Sequence, residues 1–407
     1  MIGLAAVAVI LAVGWLGSSR RDLVRPRVVL SALILQMTIA LIILKIPAGT
    51  AVIHMLGLGV GQLVACAQVG TTLLFGDLGA VPFRDSILIT VLPAIIFFSA
   101  LISILYHFGW MQMLIRLVGG AIGFVVGVGR IEAMVAAANI FVGQAESPLV
   151  VRPYLQGLSR PQIFALMTSG MAGVAGTVLA AYAQLGVRID YLLAASFMSA
   201  PAGLLMAKLV MPDDPALANA PALASVSVEA SGVPTSRSNV ILVVAEGTQA
   251  GLMIAARLAA MLLTFTALIA LGNMVVSGVG GVVGFDGVTI QSVLGHILAS
   301  AMWLLGLSWP DAVVAGGLFG QKIILNEFVA YADYVHVQAG LSAHAQAIMT
   351  FALCGFANIG SIGIQMAVLG GIAPDRRDVI ASLGFRALFA ASLANLLNAA
   401  IAGIMIP

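Results

Sequence analysis

Long apolar runs, each about the length of a helix that crosses a bilayer, leave this chain few folds to choose from. VVLSALILQMTIALIILKI (28–46), ILITVLPAIIFFSALISILY (87–106) and YLLAASFMSAPAGLLMAKLV (191–210) carry at most one charge each. About 17–25 apolar residues span a hydrocarbon core of about 30 Å. Lipid offers the backbone no hydrogen bonds, so such runs satisfy themselves as helices. Only 8% of the 407 residues are charged, against about 25% in soluble domains. So sparse a set cannot cover a water-facing surface, and the composition predicts an all-α polytopic membrane protein. A net charge of +2 gives no sign of a nucleic-acid partner. Cys66 and Cys354 sit in apolar context and read as small buried hydrophobes. The histidines, at 54, 107, 296, 336 and 344, form no metal-ligand spacing.

Eight spans emerge, at 2–17, 28–46, 87–106, 162–185, 191–210, a stretch ending near Val276, 347–369 and 380–406. No positive charge precedes the first, so it reads as a retained span and not as a cleaved leader. Segment 47–80 is interrupted by His54, Gln62, Gln68 and Asp77 and suits an interfacial helix. Segments 110–130 and 288–307 mirror each other as peripheral helices. Residues 211–238 form the one substantial hydrophilic linker, followed by an amphipathic lead into the next span. This divides the chain into 1–130, 131–210, 211–310 and 311–407. Arg20 to Arg27, Arg152, Arg160, Lys208, Arg237, Arg376 and Arg377 fall on one side, with Arg188 as exception, if 131–154 and 311–334 turn back before crossing. By the charge rule, both termini then face outward.

Those two segments each hold a carboxylate where one is costly. Glu146 lies in GQAESPLVV (143–151) and Glu327 in LNEFVAY (325–331). A charge at membrane depth costs on the order of 2.5–3.5 kcal/mol on insertion scales and marks function by default. A hairpin arm of about ten residues rises about 15 Å, half the hydrocarbon thickness. Arms at 132–141 and 148–157 would bring the tip, 142–147, to the midplane, with Pro148 opening the second half-helix. An unwound backbone survives there only where it lines a cavity. Downstream, SGMAGVAGTVLAAY (169–182) and CGFANIGSIGIQMA (354–367) share a Gly/Ala rhythm. Each half thus pairs a Glu-bearing hairpin with a Gly-rich span, and an odd number of crossings between them makes the repeats inverted, as in secondary transporters. Asn358 and Ser361, three apart, would share a helix face. With Glu327 they supply donors and acceptors for a neutral polyhydroxylated ligand.

The stretches GQAESPLVVRPYL, NVILVVAEGTQAGLMIA, LNEFVAY and ALCGFANIGSIGI occur in this order and closely resemble the concentrative nucleoside transporter family along nearly the whole chain. The resemblance implies a homotrimer in the bacterial inner membrane. Each subunit would have eight transmembrane helices plus two re-entrant hairpins, with a scaffold and a mobile transport domain that carries substrate by an elevator-like movement. It implies nucleosides such as uridine, cytidine or adenosine as substrates, a coupling cation, lipid contact and no cofactor. By resemblance, Gln144, Ala145 and Glu146 sit at the nucleobase with Val178 nearby. Glu327, Asn358 and Ser361 hold the ribose, and Phe356 lies near the base. Asn139, with the carbonyls of Val142 and Val174, would form a sodium site. Two departures stand out. Ala145 replaces the hydroxyl residue common between Gln and Glu in this motif, and Gly173 stands where sodium-coupled members tend to have a hydroxyl ligand. Sodium remains favoured over proton coupling, with Glu146 or Glu327 as the natural proton carrier, and Gly173→Ser is expected to strengthen sodium dependence. An intramembrane enzyme would need a nucleophile–base pair or metal ligands that the sequence lacks. Hairpins also build passive channels, and a carrier of another polar solute, such as a nucleobase, stays open beside the nucleoside carrier.

Overall fold

The computed structural model describes residues 2–76, 86–214, 239–284 and 287–406, and those residues form helices without strands. In chain order the α-helices are α1 (Ile2–Leu16), α2 (Pro26–Leu44), α3 (Pro47–Phe75), α4 (Ile87–Thr90), α5 (Leu92–His107), α6 (Trp110–Val126), α7 (Arg130–Val142), α8 (Arg160–Ala172) and α9 (Gly176–Gln184). Then follow α10 (Ile189–Val210), α11 (Val240–Val283), α12 (Ile290–Leu304), α13 (Trp309–Ile324), α14 (Glu327–Val337), α15 (Ala343–Leu353), α16 (Ile359–Ile372) and α17 (Arg377–Met405). Prolines open α2, α3, α8 and α13 in their first turns, where a missing N–H costs nothing. The linker expected at 211–238 lies, from residue 215 on, outside the described residues, as do 77–80 of the expected interfacial segment.

Among the described residues, seven helical stretches are long and apolar enough to cross a membrane, with α4–α5 and α8–α9 each taken as one, or eight if α12 and α13, bent by 117° at their junction, count as one broken span. The roster differs from the sequence reading. α3 is one uninterrupted 29-residue helix, long and apolar enough to cross a membrane, whereas α1 and α16 are short. The amphipathic lead and span expected after the linker are a single 44-residue rod, α11, about 66 Å long at 1.5 Å per residue. It packs along α5, and elsewhere presents bare apolar side chains such as Leu263 (76% exposed) and Val282 (89%). Beyond Arg257 the rod carries no charged side chain, and a stretch apolar on all sides belongs in a lipid or protein surround.

The core lies around α10 and α17. α10 is buried over most of its length between α2, α8 and α17, and α17 packs on α1, α8, α15 and α16. α7 lies against α6, α8 and α10. The two Gly-rich stretches expected to be continuous spans are both broken. Chain 162–185 is α8 and α9 separated at residues 173–175, and 347–369 is α15 and α16 separated at 354–358. The stretch expected to form the second arm of a first hairpin also differs: Ser147–Gly157 is 3₁₀ helix, non-helical at Val151, with Pro153 inside it. Proline removes a donor and clashes with the carbonyl four residues back, which accounts for the tighter winding. At the base of α7, Lys208 Nζ donates to Glu132 Oε1 at 2.5 Å and to Asp213 Oδ1 at 2.6 Å, tying the first turn of α7 to the last turn of α10.

Candidate functional site

Four interruptions of helix come together inside this core: 143–146 after α7, 173–175, the junction of α13 with α14, and 354–358. Gly143 needs φ +78°, and a Cβ there would sit 2.6 Å from the Ala175 side chain and 3.4 Å from the Phe356 ring. Only glycine lets the α7 turn press against the breaks at 173–175 and 354–358. The two breaks are also joined directly, since Phe356 N–H donates to Gly173 C=O at 3.1 Å. Beneath them Asn395 of α17 donates to the carbonyls of Ala172 (2.6 Å) and Cys354 (3.3 Å). Lys322 of α13, fully buried, donates to Ala352 C=O at 2.7 Å and to Asn395 Oδ1 at 2.6 Å. The Lys322 side-chain nitrogen thus stands at the C-terminal end of α15, and through Asn395 is linked to that of α8, where helix dipoles favour positive charge.

Glu327 is the first residue of α14 and 5% exposed. Its carboxylate accepts from Tyr182 O–H at 2.9 Å and from Asn358 Nδ2 at 3.0 Å, and the positive end of α14 begins at its own backbone. These contacts offset part of what burial of a carboxylate costs. Asn358 is the N-cap of α16, extended at φ −146°, with its Oδ1 accepting from Ser361 N–H at 2.8 Å. The shared helix face expected for Asn358 and Ser361 is therefore a cap geometry: the asparagine lies outside the helix. Gln144 Nε2 donates to Ser361 Oγ at 2.7 Å, and Gln365 Nε2 donates to Gln144 Oε1 at 3.3 Å. One connected polar set thus runs Tyr182–Glu327–Asn358–Ser361–Gln144–Gln365. Ala145 is exposed and Glu146 half-buried at the turn, and Glu146 makes no hydrogen bond to Glu327, Asn358 or Ser361. Val178 and Phe356 are half-buried at the breaks.

The chain as a whole has known counterparts. The chain matches three family models: Na+ dependent nucleoside transporter N-terminus over 5–78, Nucleoside recognition over 88–188, and Na+ dependent nucleoside transporter C-terminus over 191–403. It is 38% identical to the nucleoside permease NupC of Helicobacter pylori, covering 100% of this chain and 98% of that one. The chain belongs to the concentrative nucleoside transporter family. Another family relative is the uncharacterized transporter YutK of Bacillus subtilis, 44% identical over 99% of both chains. A solved structure of CNTnw in an inward-facing substrate-bound state superposes with a TM-score of 0.92 at 40% identity, over 100% of this chain and 98% of that one. As a family member the chain is a multi-pass membrane transporter and not an enzyme.

Of the residues the sequence singled out, the structure brings Gln144, Glu327, Asn358 and Ser361 into one network and sets Phe356 at its edge. On the other side of Gly173, Asn139 (1% exposed) donates from Nδ2 to Ser169 C=O at 2.9 Å while its Oδ1 has no partner. The carbonyls of Val142 and Val174, both at helix breaks, accept none of the backbone hydrogen bonds made there. Sequence reading passed over Tyr182, Gln365, Lys322 and Asn395. Gln365 and Asn395 carried a signal, an amide inside an otherwise apolar run (IGIQMAVLGG, SLANLLNAA). Tyr182 carried none.

Proposed function

We propose that this chain imports nucleosides across a bacterial inner membrane in symport with a cation, sodium favoured. The observation that carries the reading is the buried Glu327 carboxylate, held by Tyr182 and Asn358 beside the Gln144–Ser361–Gln365 chain. Vicinal ribose hydroxyls donate to a carboxylate and accept from an amide, so Glu327 and Asn358 suit a ribose. Gln144 offers a donor and an acceptor to the edge of a base, with Glu146, Ala145, Val178 and Phe356 around it. Two segments, α7 with Ser147–Gly157 and α13 with α14, serve as re-entrant hairpins. With α8–α10 and α15–α17 they make up the transport domains (131–210 and 311–407), which move as an elevator against a trimeric scaffold (1–130 and 211–310) with both termini outside. Sodium would lie among Asn139, Val142, Gly173 and Val174. The hydroxyl missing at Gly173 favours a second reading, proton coupling through Glu146 or Glu327.

Uptake of labelled uridine into proteoliposomes under separately imposed sodium and pH gradients tests both. Accumulation driven by inward sodium at equal pH supports the first reading, and accumulation driven only by an acidic exterior supports the second. Accumulation under neither gradient removes symport. Competition by uracil as strong as that by uridine would remove the ribose assignment.

A further inference from the structure

We infer that Ser199, on α10, supplies the hydroxyl oxygen of the coupling-cation site in place of the side chain that Gly173 lacks. The inference rests on the sodium-coupled reading above. A Cβ built on Gly173 would lie 2.6 Å from Ser199 Oγ and 2.8 Å from Asn139 Nδ2. The space a side chain at 173 would enter is therefore already taken by a hydroxyl from another helix. Ser199 is 2% exposed and donates its proton to the carbonyl of Ser196 at 2.7 Å. Its lone pairs are left for an acceptor role, the only role useful to a cation. The amide of Asn139 that meets this position with its Nδ2 has its Oδ1 buried without a partner, and the Val142 and Val174 carbonyls take no bond from the helix breaks that expose them.

Amide, hydroxyl and carbonyl oxygens form a hard, neutral donor set. Divalent cations draw on carboxylates, and among the described residues no group of three His, Cys, Asp or Glu side chains could hold a metal. A proton needs a group that titrates, and none of these four does so near neutral pH. Dehydrated alkali cations are held by rings of such neutral dipoles. The position also matters for coupling. α10 packs on both α7 and α8, so an ion gripped by Ser199 would clamp the α7 turn, which carries Gln144, to the break that Phe356 bonds. Gly173→Ser alone, expected from the sequence to strengthen sodium dependence, would instead crowd the Ser199 oxygen.

The test uses the purified full-length protein as wild type and as the variants Ser199→Ala, Ser199→Cys, Gly173→Ser and Ser199→Ala/Gly173→Ser. Two quantities are read: the rise in Tm when sodium chloride replaces choline chloride at equal ionic strength without nucleoside, and the sodium concentration giving half-maximal uridine uptake. We expect Ser199→Ala and the volume-conserving Ser199→Cys to lose most of the sodium-induced Tm rise and to need about tenfold more sodium, one hard oxygen having been lost. The double variant, which returns a hydroxyl from the opposite side, should recover to within about threefold of wild type, and Gly173→Ser alone should not improve on wild type. Should Ser199→Ala not fold, Ser199→Cys and the double variant decide. Wild-type sodium dependence in Ser199→Cys, or no recovery in the double variant, overturns the assignment of Ser199. A wild type with neither a sodium-induced Tm rise nor sodium-stimulated uptake fails at the coupling reading itself and takes the inference with it.

Discussion

Glu327 receives two hydrogen bonds, from Tyr182 and Asn358, and those bonds set what each residue should do when changed. Glu327→Gln keeps the shape but loses the charge that, under the ribose assignment proposed above, would accept ribose hydroxyls, and uridine uptake should then fall to background. Size-exclusion chromatography should still show an intact assembly, and retained uptake would remove the ribose assignment. Tyr182→Phe leaves the carboxylate with one fewer donor. Hydrogen bonds to charged groups are worth about 1.5–3 kcal/mol, so the half-saturating uridine concentration should rise by roughly tenfold or more; an unchanged value would make the tyrosine a bystander. Asn358→Ala removes both the donor to Glu327 and the cap of α16. It should weaken uridine more than a ligand lacking the ribose hydroxyls, and equal losses in competition assays would assign Asn358 to capping alone.

At the scale of elements, the device that defines this molecule is the broken helix. α8 and α15 each stop inside the protein, so each exposes carbonyls that must find donors without water. Asn395 and Lys322 provide them: Lys322 bonds the Ala352 carbonyl at the end of α15 and the Asn395 side-chain oxygen, and Asn395 in turn bonds the Ala172 carbonyl at the end of α8. Asn395→Leu would strand the Ala172 carbonyl and leave Lys322 with a single acceptor. The loss should be on the order of 3 kcal/mol, read as a clear fall in Tm of the detergent-solubilised protein. An unaltered Tm would show that the break is held by packing alone.

For the whole molecule, the elevator reading demands that the body containing α10 slide past the scaffold. His54 Nδ1 of α3 lies 3.5 Å from Asp190 Oδ2 of α10, and these helices fall on opposite sides of the proposed division. In a Cys66→Ser background, His54→Cys/Asp190→Cys joined by a short thiol cross-linker should block uptake, and cleaving the linker should restore it. Full uptake while cross-linked would mean that α3 and α10 travel together. The bare length of α11 fits a scaffold rod that meets other subunits, so native mass spectrometry should report three times 41.7 kDa.

The apolar runs alone determined that this is a helical membrane protein, because lipid leaves the backbone no other way to satisfy itself. The two costly carboxylates and the motifs around them marked where to look, since an ionisable group in such a run has few reasons to be there. Only the tertiary structure decided which spans break, that Asn358 caps instead of riding a helix face, and which partners Tyr182, Gln365, Lys322 and Asn395 find. Gly and Ala occur throughout this chain, so the glycines at the two breaks look no different from those inside continuous helices. The bonds that give the missed residues their roles join positions far apart in the chain, 145 residues for Tyr182 and Glu327 and 221 for Gln144 and Gln365. A period of 3.6 residues records which side of a helix is apolar, and carries no trace of which distant helix that side will meet.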